Sequence, residues 1–210
     1  MRFDGRSILL GTACALAGVV VASFAMGDGG EETLWSIVRW STRLGAPLFA
    51  AAFAARPLRQ LSGGRSAKWL SRNRRELGLS FALMHFSHLA ALAAIAWSYP
   101  EPFLRETGAL TWIGGGIIYG LLAAMTVTSF DGPADWLGPQ RWLALHRTGS
   151  YALWLILTLN YVTQALSDPR LSISALLLLG AAFARAGAWL AVGRRGRVGG
   201  EEPRSTVAGR

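Results

Sequence analysis

Apolar residues fill long runs of this chain, and short polar segments separate them. Six runs are long enough for a membrane-spanning helix: 7–26, 34–55, 77–98, 108–130, 139–166 and 171–192. A bilayer core of about 30 Å requires about 20 apolar residues per helix, and lipid tolerates only backbone whose polar groups are bonded internally. The pattern therefore predicts an all-α integral membrane protein, a six-transmembrane-helix bundle over residues 1–192 with a flexible basic tail over residues 193–210.

Some of these runs carry signals at their ends or within them. Pro57 is expected to mark the exit of the second helix, because proline lacks a backbone N–H. Pro139 is a favourable first-turn residue and predicts the start of the fifth helix. Gly116 and Gly120 form a small-xxx-small pair, which predicts that a neighbouring helix approaches the fourth helix closely. The first run could also be a cleaved signal peptide, but its apolar stretch exceeds the ~7–15 residues usual for one.

Composition agrees with a lipid environment. The chain has 52% apolar and 16% charged residues and a mean hydropathy of +0.34, whereas soluble domains carry roughly 25% charge. This composition excludes three classes for the chain as a whole: a disordered tail, a disulfide scaffold and a soluble nucleic-acid binder. Cys14 is the single cysteine, so the chain can form neither an intrachain disulfide nor a cysteine-based metal site.

Charge predicts the orientation. The net charge is +9, from 21 basic and 12 acidic residues. Most basic residues lie before the first run, between the second and third, and after the sixth, while the other loops are neutral or acidic. Because cytoplasmic loops carry the excess of Lys and Arg, both termini are predicted to be cytoplasmic. A docking surface for an acidic partner is an alternative use of the surplus.

Histidines are the candidate chemical groups. His85 and His88 lie on the third predicted helix and His146 near the start of the fifth, and no acidic residue lies deep in any run. Neutral imidazole is a good axial ligand for haem iron, and facing helices can supply one ligand each. His85 and His146 are predicted in the same half of the bilayer, offset in depth by roughly 8 Å. Histidines that only bond neighbouring helices are the alternative, which we favour for His88.

Four of the arginines within the predicted helices are candidate functional residues. Arg147 and Arg185 are predicted at a depth where they could pair with haem propionates, and snorkelling to the headgroups is the alternative. Arg39 and Arg43 share one face of the second helix. For these two arginines we favour snorkelling to the lipid headgroups, and a binding site for a quinone or an anionic headgroup is the alternative.

Several short motifs carry a resemblance to a known family. They are Ala55-Arg-Pro-Leu-Arg, Arg74-Arg-Glu-Leu-Gly-Leu before His85, Thr128-Ser-Phe, Leu137-Gly and Trp142-Leu-Ala-Leu-His-Arg147. In these the chain resembles the ferric reductase-like transmembrane family, and within it the haem-binding membrane subunit of the bacterial methionine sulfoxide reductase system. The resemblance implies a multi-pass protein of the cell inner membrane with haem b held through its iron by His85 and His146.

The same resemblance implies the electron-transfer subunit of an oxidoreductase. Electrons would pass from a cytoplasmic flavin reductase or quinol to an acceptor at or across the membrane, with a quinone or a partner's flavin as possible further cofactors. Family members with two haems have further histidines about four turns along, where this chain has Tyr99 and Leu159 or Asn160. One haem is therefore expected rather than two. A haem-free membrane scaffold or partner-binding subunit stays open as the alternative.

Overall fold

A computed structural model describes the backbone of residues 5–198, and the side chains of this part except those of residues 109–110 and 193–198. This described part is all-helical and contains no strand, which confirms the predicted all-α class. Its helices are α1 Gly5–Met26, α2 Glu31–Ser62, α3 Arg65–Arg72, α4 Arg74–Ser98, α5 Pro100–Glu106, α6 Ala109–Val127, α7 Asp131–Leu137, α8 Pro139–Ala165 and α9 Ser172–Val198, with a 3₁₀ turn at Pro169–Leu171.

Several helices suit a membrane. Among the described residues, three segments are long and apolar enough to cross one: α1, α4 and Pro169–Val192. A fourth arises if α5 and α6, which are bent by 91° from each other, are counted as one span. Charged and polar residues lower the hydropathy of α2 and α8. Large side chains such as Trp97 (90% exposed) and Phe183 (74% exposed) lie on the outside, where lipid rather than water suits them.

Helix α2 is the central element of the bundle. It packs against α4 and α9 over most of its length, and also contacts α1, α3 and α8, while α6 packs against α8 and α4. One core joins the helices, and its members include Phe49 and Phe53 of α2, Phe81 of α4, Leu122 of α6, Leu153 of α8 and Leu178 of α9. Close packing of aromatic and aliphatic side chains at this centre fixes the relative positions of the helices.

Pro57 does not end the second helix, contrary to the prediction. Helix α2 continues through Pro57 to Ser62, and Gly63 then ends it with a left-handed backbone, φ +59°. Proline leaves the carbonyl one turn before it without its usual donor. That carbonyl belongs to Phe53, and Arg185 of α9 donates to it through Nη2 at 2.9 Å. A donor from another helix therefore compensates for the bond that Pro57 removes.

The glycine pair of the fourth predicted helix is not used as predicted. A Cβ atom at Gly116 or Gly120 would meet no atom within 4 Å, so no other helix of the described part approaches α6 there. Close approach occurs instead at Gly149 of α8, where a Cβ atom would collide with the Met125 side chain. The α6–α8 contact therefore depends on a glycine in α8 rather than in α6.

Three short helices were not predicted, nor was the extension of α9, which adds to that of α2. Helices α3, α5 and α7 lie in segments that the apolar pattern assigns to loops. Helix α9 continues to Val198, six residues into the predicted tail, and residues 199–210 of that tail lie outside the described part. Two of the three short helices contribute to a cavity wall: α3 brings Ser71 and Arg72 beside the first turn of α4, and α7 brings Asp131 and Ala134.

Candidate functional site

A cavity of about 450 Å³ lies between α2, α4, α6 and α8. This volume is within the range of ~300–1,000 Å³ typical of cofactor and small-molecule sites. Its inner walls are apolar: Phe49, Phe53, Phe81, Leu122, Met125 and Leu153. Its other end is charged and lined by Arg72, Arg74, Arg75 and Asp131. The cavity therefore suits a molecule with a large apolar body and an anionic edge.

His146 lies in the wall of this cavity. Gly138 turns the chain with a φ of +77°, and Pro139 then starts α8, which places Trp142 and His146 one turn apart on one face. The Trp142 indole donates to the Thr128 carbonyl at 2.8 Å and stacks on the imidazole, with ring centroids 4.3 Å apart. These contacts fix the ring at the charged end of the cavity.

A hydrogen bond orients the His146 ring further. Its Nε2 lies 3.0 Å from the Thr128 hydroxyl, and that hydroxyl also donates to the Ala124 carbonyl at 2.7 Å. Because a hydroxyl has one proton, its oxygen accepts from Nε2 when it donates to Ala124. The arrangement assigns the proton to Nε2 and leaves the lone pair on Nδ1 of His146. Iron ligation through Nε2 would require Thr128 to release that nitrogen.

His85 is close to the cavity but does not line it. The ring is 5% exposed, and Nδ1 is buried with no hydrogen-bond partner among the described residues. A Cβ atom on Gly45 of α2 would lie 3.1 Å from this nitrogen, so the glycine makes room for the imidazole. The Phe81 ring, 4.1 Å from the His85 ring, forms the cavity wall instead.

The predicted difference in depth explains this arrangement. Phe81 lies one helical turn before His85, a rise of about 6 Å. The sequence predicts that His85 lies about 8 Å deeper than His146. It is therefore Phe81 that shares a cavity wall with His146, and the two predicted ligands do not line one cavity in this structure.

His88 bonds the neighbouring helix, as predicted. Its Nδ1 lies 3.2 Å from the Val38 carbonyl of α2, and since a carbonyl can only accept, Nδ1 carries the proton. The His88 and His85 rings have centroids 6.1 Å apart. His88 therefore stabilises the packing of α4 on α2 beside His85.

Neither Arg147 nor Arg185 lines the cavity. Arg147 is exposed on α8. Arg185 spans the gap from α9 to α2: besides its bond to the Phe53 carbonyl, its guanidinium carbon lies 4.0 Å from the Phe53 ring centroid and 4.9 Å from that of Tyr151. Its Nε is buried without a hydrogen-bond partner in the described part. The contacts that Arg185 makes are structural ones.

Arg39 and Arg43 are paired with carboxylates near the first half of α2. Arg39 forms a salt bridge with Glu32, and Arg43 with Asp168 at 3.2 Å. Arg43 also lies over the Trp40 ring. These partners account for both arginines without a ligand.

Sequence reasoning missed the arginines that do line the cavity. Arg72, Arg74 and Arg75 entered the prediction only as topology signals, although Arg74 and Arg75 belong to one of the motifs that carry the family resemblance. Trp142 and Thr128 were also motif residues without an assigned role. The available signal was the i, i+4 spacing of Trp142 and His146, which places both side chains on one helix face.

Comparison with protein-family models, with curated proteins and with solved structures found no match. Within the described residues, no group of three or more His, Cys, Asp or Glu side chains is placed to hold a metal ion. A haem needs only two axial ligands from the protein, so this finding concerns sites for a bare metal ion and not a haem site.

Proposed function

We propose that this chain is an integral membrane electron-transfer protein that binds one haem b in the cavity between α2, α4, α6 and α8. The observation that carries the proposal is the composition of this cavity: an imidazole in one wall, aromatic and aliphatic side chains around it, and three arginines at one end. A haem has a broad apolar macrocycle and two carboxylates at one edge. Arginine forks bind carboxylates in bidentate fashion.

The residues present fit such a group in their chemistry. A buried nitrogen without a partner is costly, about 1–3 kcal/mol, and His85 Nδ1, one helical turn from the cavity, has no partner among the described residues. Ligation through Nδ1 would give this nitrogen a partner, and Nε2 would then keep the proton. Rotation of the Phe81 ring would extend the cavity to His85.

Each residue has a defined task in this proposal. His146 and His85 would hold the iron, Thr128 and Trp142 would orient the His146 ring, and the arginines would bind the anionic edge. Phe49 and Leu153 exclude water from the interior. When bound, haem supplies a one-electron iron couple whose potential the axial ligands and the dry surroundings set.

We also propose that α1, α2, α4, α6, α8 and α9 all cross the cell inner membrane, with both termini in the cytoplasm. The close packing of α2 among α4, α8 and α9 supports this for α2, because a spanning helix shielded by its neighbours tolerates polar residues. The basic segment between α2 and α4 then faces the cytoplasm. A flavin reductase or quinol on that side would donate electrons to the arginine-lined end, as in the ferric reductase-like family.

The visible spectrum tests the proposal. Protein purified from haem-supplemented cells is expected to show sharp bands on reduction with dithionite, and His146→Ala and His85→Ala each to lose them. His88→Ala is the matched control, since it removes a neighbouring imidazole that bonds α2. A colourless, folded wild-type protein would refute haem binding.

One observation favours a second candidate function, a haem-free membrane scaffold that binds a partner. His146 already bonds Thr128, and Phe81 already covers His85, so neither contact needs a cofactor. For the scaffold, the two histidine variants would remain colourless like the wild type and would alter stability alone. The same set of spectra therefore separates the two candidates.

A further inference from the structure

A second, smaller cavity of about 400 Å³ opens beside the first, between the end of α2, α3 and the start of α4. It is lined by Arg56, Arg59, Gln60, Ser71 and Arg74. Arg56 and Arg59 are three residues apart on α2 and so share one face. Three guanidinium groups, a hydroxyl and an amide, all hydrogen-bond donors, thus surround one space.

No acidic residue of the described part neutralises the charges here. None of the lining residues is acidic, and the two salt bridges found in the described part join other residues, Arg39 with Glu32 and Arg43 with Asp168. Arg56 and Arg185 lie close enough to Arg74 for their charges to repel it. The one internal bond in the cavity is long, from Arg59 Nη1 to Ser71 Oγ at 3.4 Å. An anion between these groups would remove the repulsion and accept the free donors.

Phosphate is the anion that this arrangement suits. Guanidinium groups match phosphate oxygens as a planar fork, and a hydroxyl adds a further donor. The cavity lies where α2 and α4, which pack in the bundle, meet the exposed basic segment that begins at Gly63, so an acyl chain could continue along the bundle from a bound headgroup. We infer that Arg56, Arg59, Ser71 and Arg74 form a binding site for a phosphate group, supplied by an anionic phospholipid headgroup.

Phosphate binding at this site would also affect the larger cavity. Ser71 and Arg74 line both spaces, so a phosphate held by Arg56 and Arg59 would fix the side chains at the charged end of the first cavity. Arg56 and Arg59 do not line the larger cavity, so their part of the site does not depend on haem binding.

Thermal unfolding of the detergent-purified full chain tests this inference. Phosphatidylglycerol, phosphatidylcholine and inorganic phosphate are titrated separately at equal ionic strength. Phosphatidylglycerol is expected to raise Tm, and Arg56→Gln/Arg59→Gln to raise its half-saturating concentration at least about tenfold, the loss expected for a charge-assisted hydrogen bond. Arg65→Gln/Lys68→Gln is the matched control: it removes two exposed charges of the same segment that do not line the cavity, and it should respond as the wild type does.

Other outcomes decide the source of the phosphate or overturn the site. Stabilisation by millimolar inorganic phosphate, with no further gain from the lipid, would keep the site and assign it to a soluble phosphate. Equal loss in both double variants would overturn it in favour of diffuse attraction to charge. Equal stabilisation by phosphatidylcholine, which has no net charge, would overturn it in favour of a general effect of lipid. If the double variant does not fold, Arg59→Lys, which keeps the charge but not the guanidinium fork, is titrated in its place.

Discussion

The Phe81 ring packs 4.1 Å from the His85 ring and occupies the wall of the cavity that His85 does not reach. This contact decides whether the His85 imidazole on α4 can reach the cavity. One helical turn separates the two residues, so the aromatic ring rather than the imidazole faces His146 across the space. Access to His85 therefore depends on the conformation of one phenylalanine.

Removing the Phe81 ring should expose His85. In haem-free Phe81→Ala, we expect diethylpyrocarbonate to modify His85 several-fold faster than in the wild type, because a buried ring becomes part of the cavity wall. Peptide mass spectrometry measures the rate, and Leu122→Ala, which enlarges the cavity from α6, is the control that should leave it unchanged. Continued protection of His85 in Phe81→Ala would contradict this explanation. Such a truncation should cost about 3–5 kcal/mol of stability, so the reaction is run at low temperature to keep the variant folded.

Gly45 should be intolerant of a side chain. A methyl group there would press on His85 Nδ1 at 3.1 Å, and overpacking of this kind costs about 1–3 kcal/mol. We therefore expect Gly45→Ala to lower the free energy of unfolding by that amount, as measured by titration with a denaturing detergent. Gly180→Ala on α9 meets open space and should be neutral or stabilising by up to about 1 kcal/mol. Equal effects of the two substitutions would contradict the close approach of α2 and α4.

Arg185 and Pro57 should be energetically coupled. Arg185→Met removes the donor to the Phe53 carbonyl and should cost about 1.5–3 kcal/mol. Pro57→Ala restores a backbone N–H for the same carbonyl, so the cost of Arg185→Met should shrink in that background. A double-mutant cycle on unfolding free energies measures this coupling. Additive effects would mean that Arg185 stabilises the bundle by its contacts with Phe53 and Tyr151 rings alone.

His88 should contribute to the stability of the protein and not to its haem absorption bands. His88→Ala removes the bond to the Val38 carbonyl and should cost about 0.6 kcal/mol, the average for side-chain hydrogen bonds between membrane helices. His88→Gln keeps an N–H donor and should lose less. Detergent-induced unfolding gives the energies, and a loss of the reduced haem bands in His88→Ala would show instead that this residue is a ligand.

Cysteine labelling should reveal the proposed orientation. In a Cys14→Ser background, Lys68→Cys is expected to react with a membrane-impermeant maleimide only after cells are opened. Glu101→Cys, on α5 at the other end of α4, should react in intact cells. Both positions are exposed, so a difference in reactivity reports the side of the membrane. The reverse pattern would invert the proposed topology.

The sequence was informative wherever apolar runs and terminal residues act locally. The observed α1, α4 and α8 begin and end within a few residues of the predicted bounds, because α1 and α4 coincide with long apolar runs and α8 begins at Pro139. Pro57 misled the prediction because the donor that compensates for it, Arg185, lies far away in the chain. The short α3 was missed because it is amphipathic and lies outside any apolar run.

The candidate site shows the same division. Sequence alone determined that the chain is helical and apolar, that it carries three histidines in or beside its apolar runs, and that basic residues gather between the second and third long helices, because these follow from residue types and local periodicity. Tertiary structure decided which side chains share a space: Phe81 rather than His85 faces His146, and Arg72, Arg74 and Arg75 rather than Arg147 and Arg185 line the cavity. The rotation and depth of each helix set these pairings, and both depend on packing against all the others.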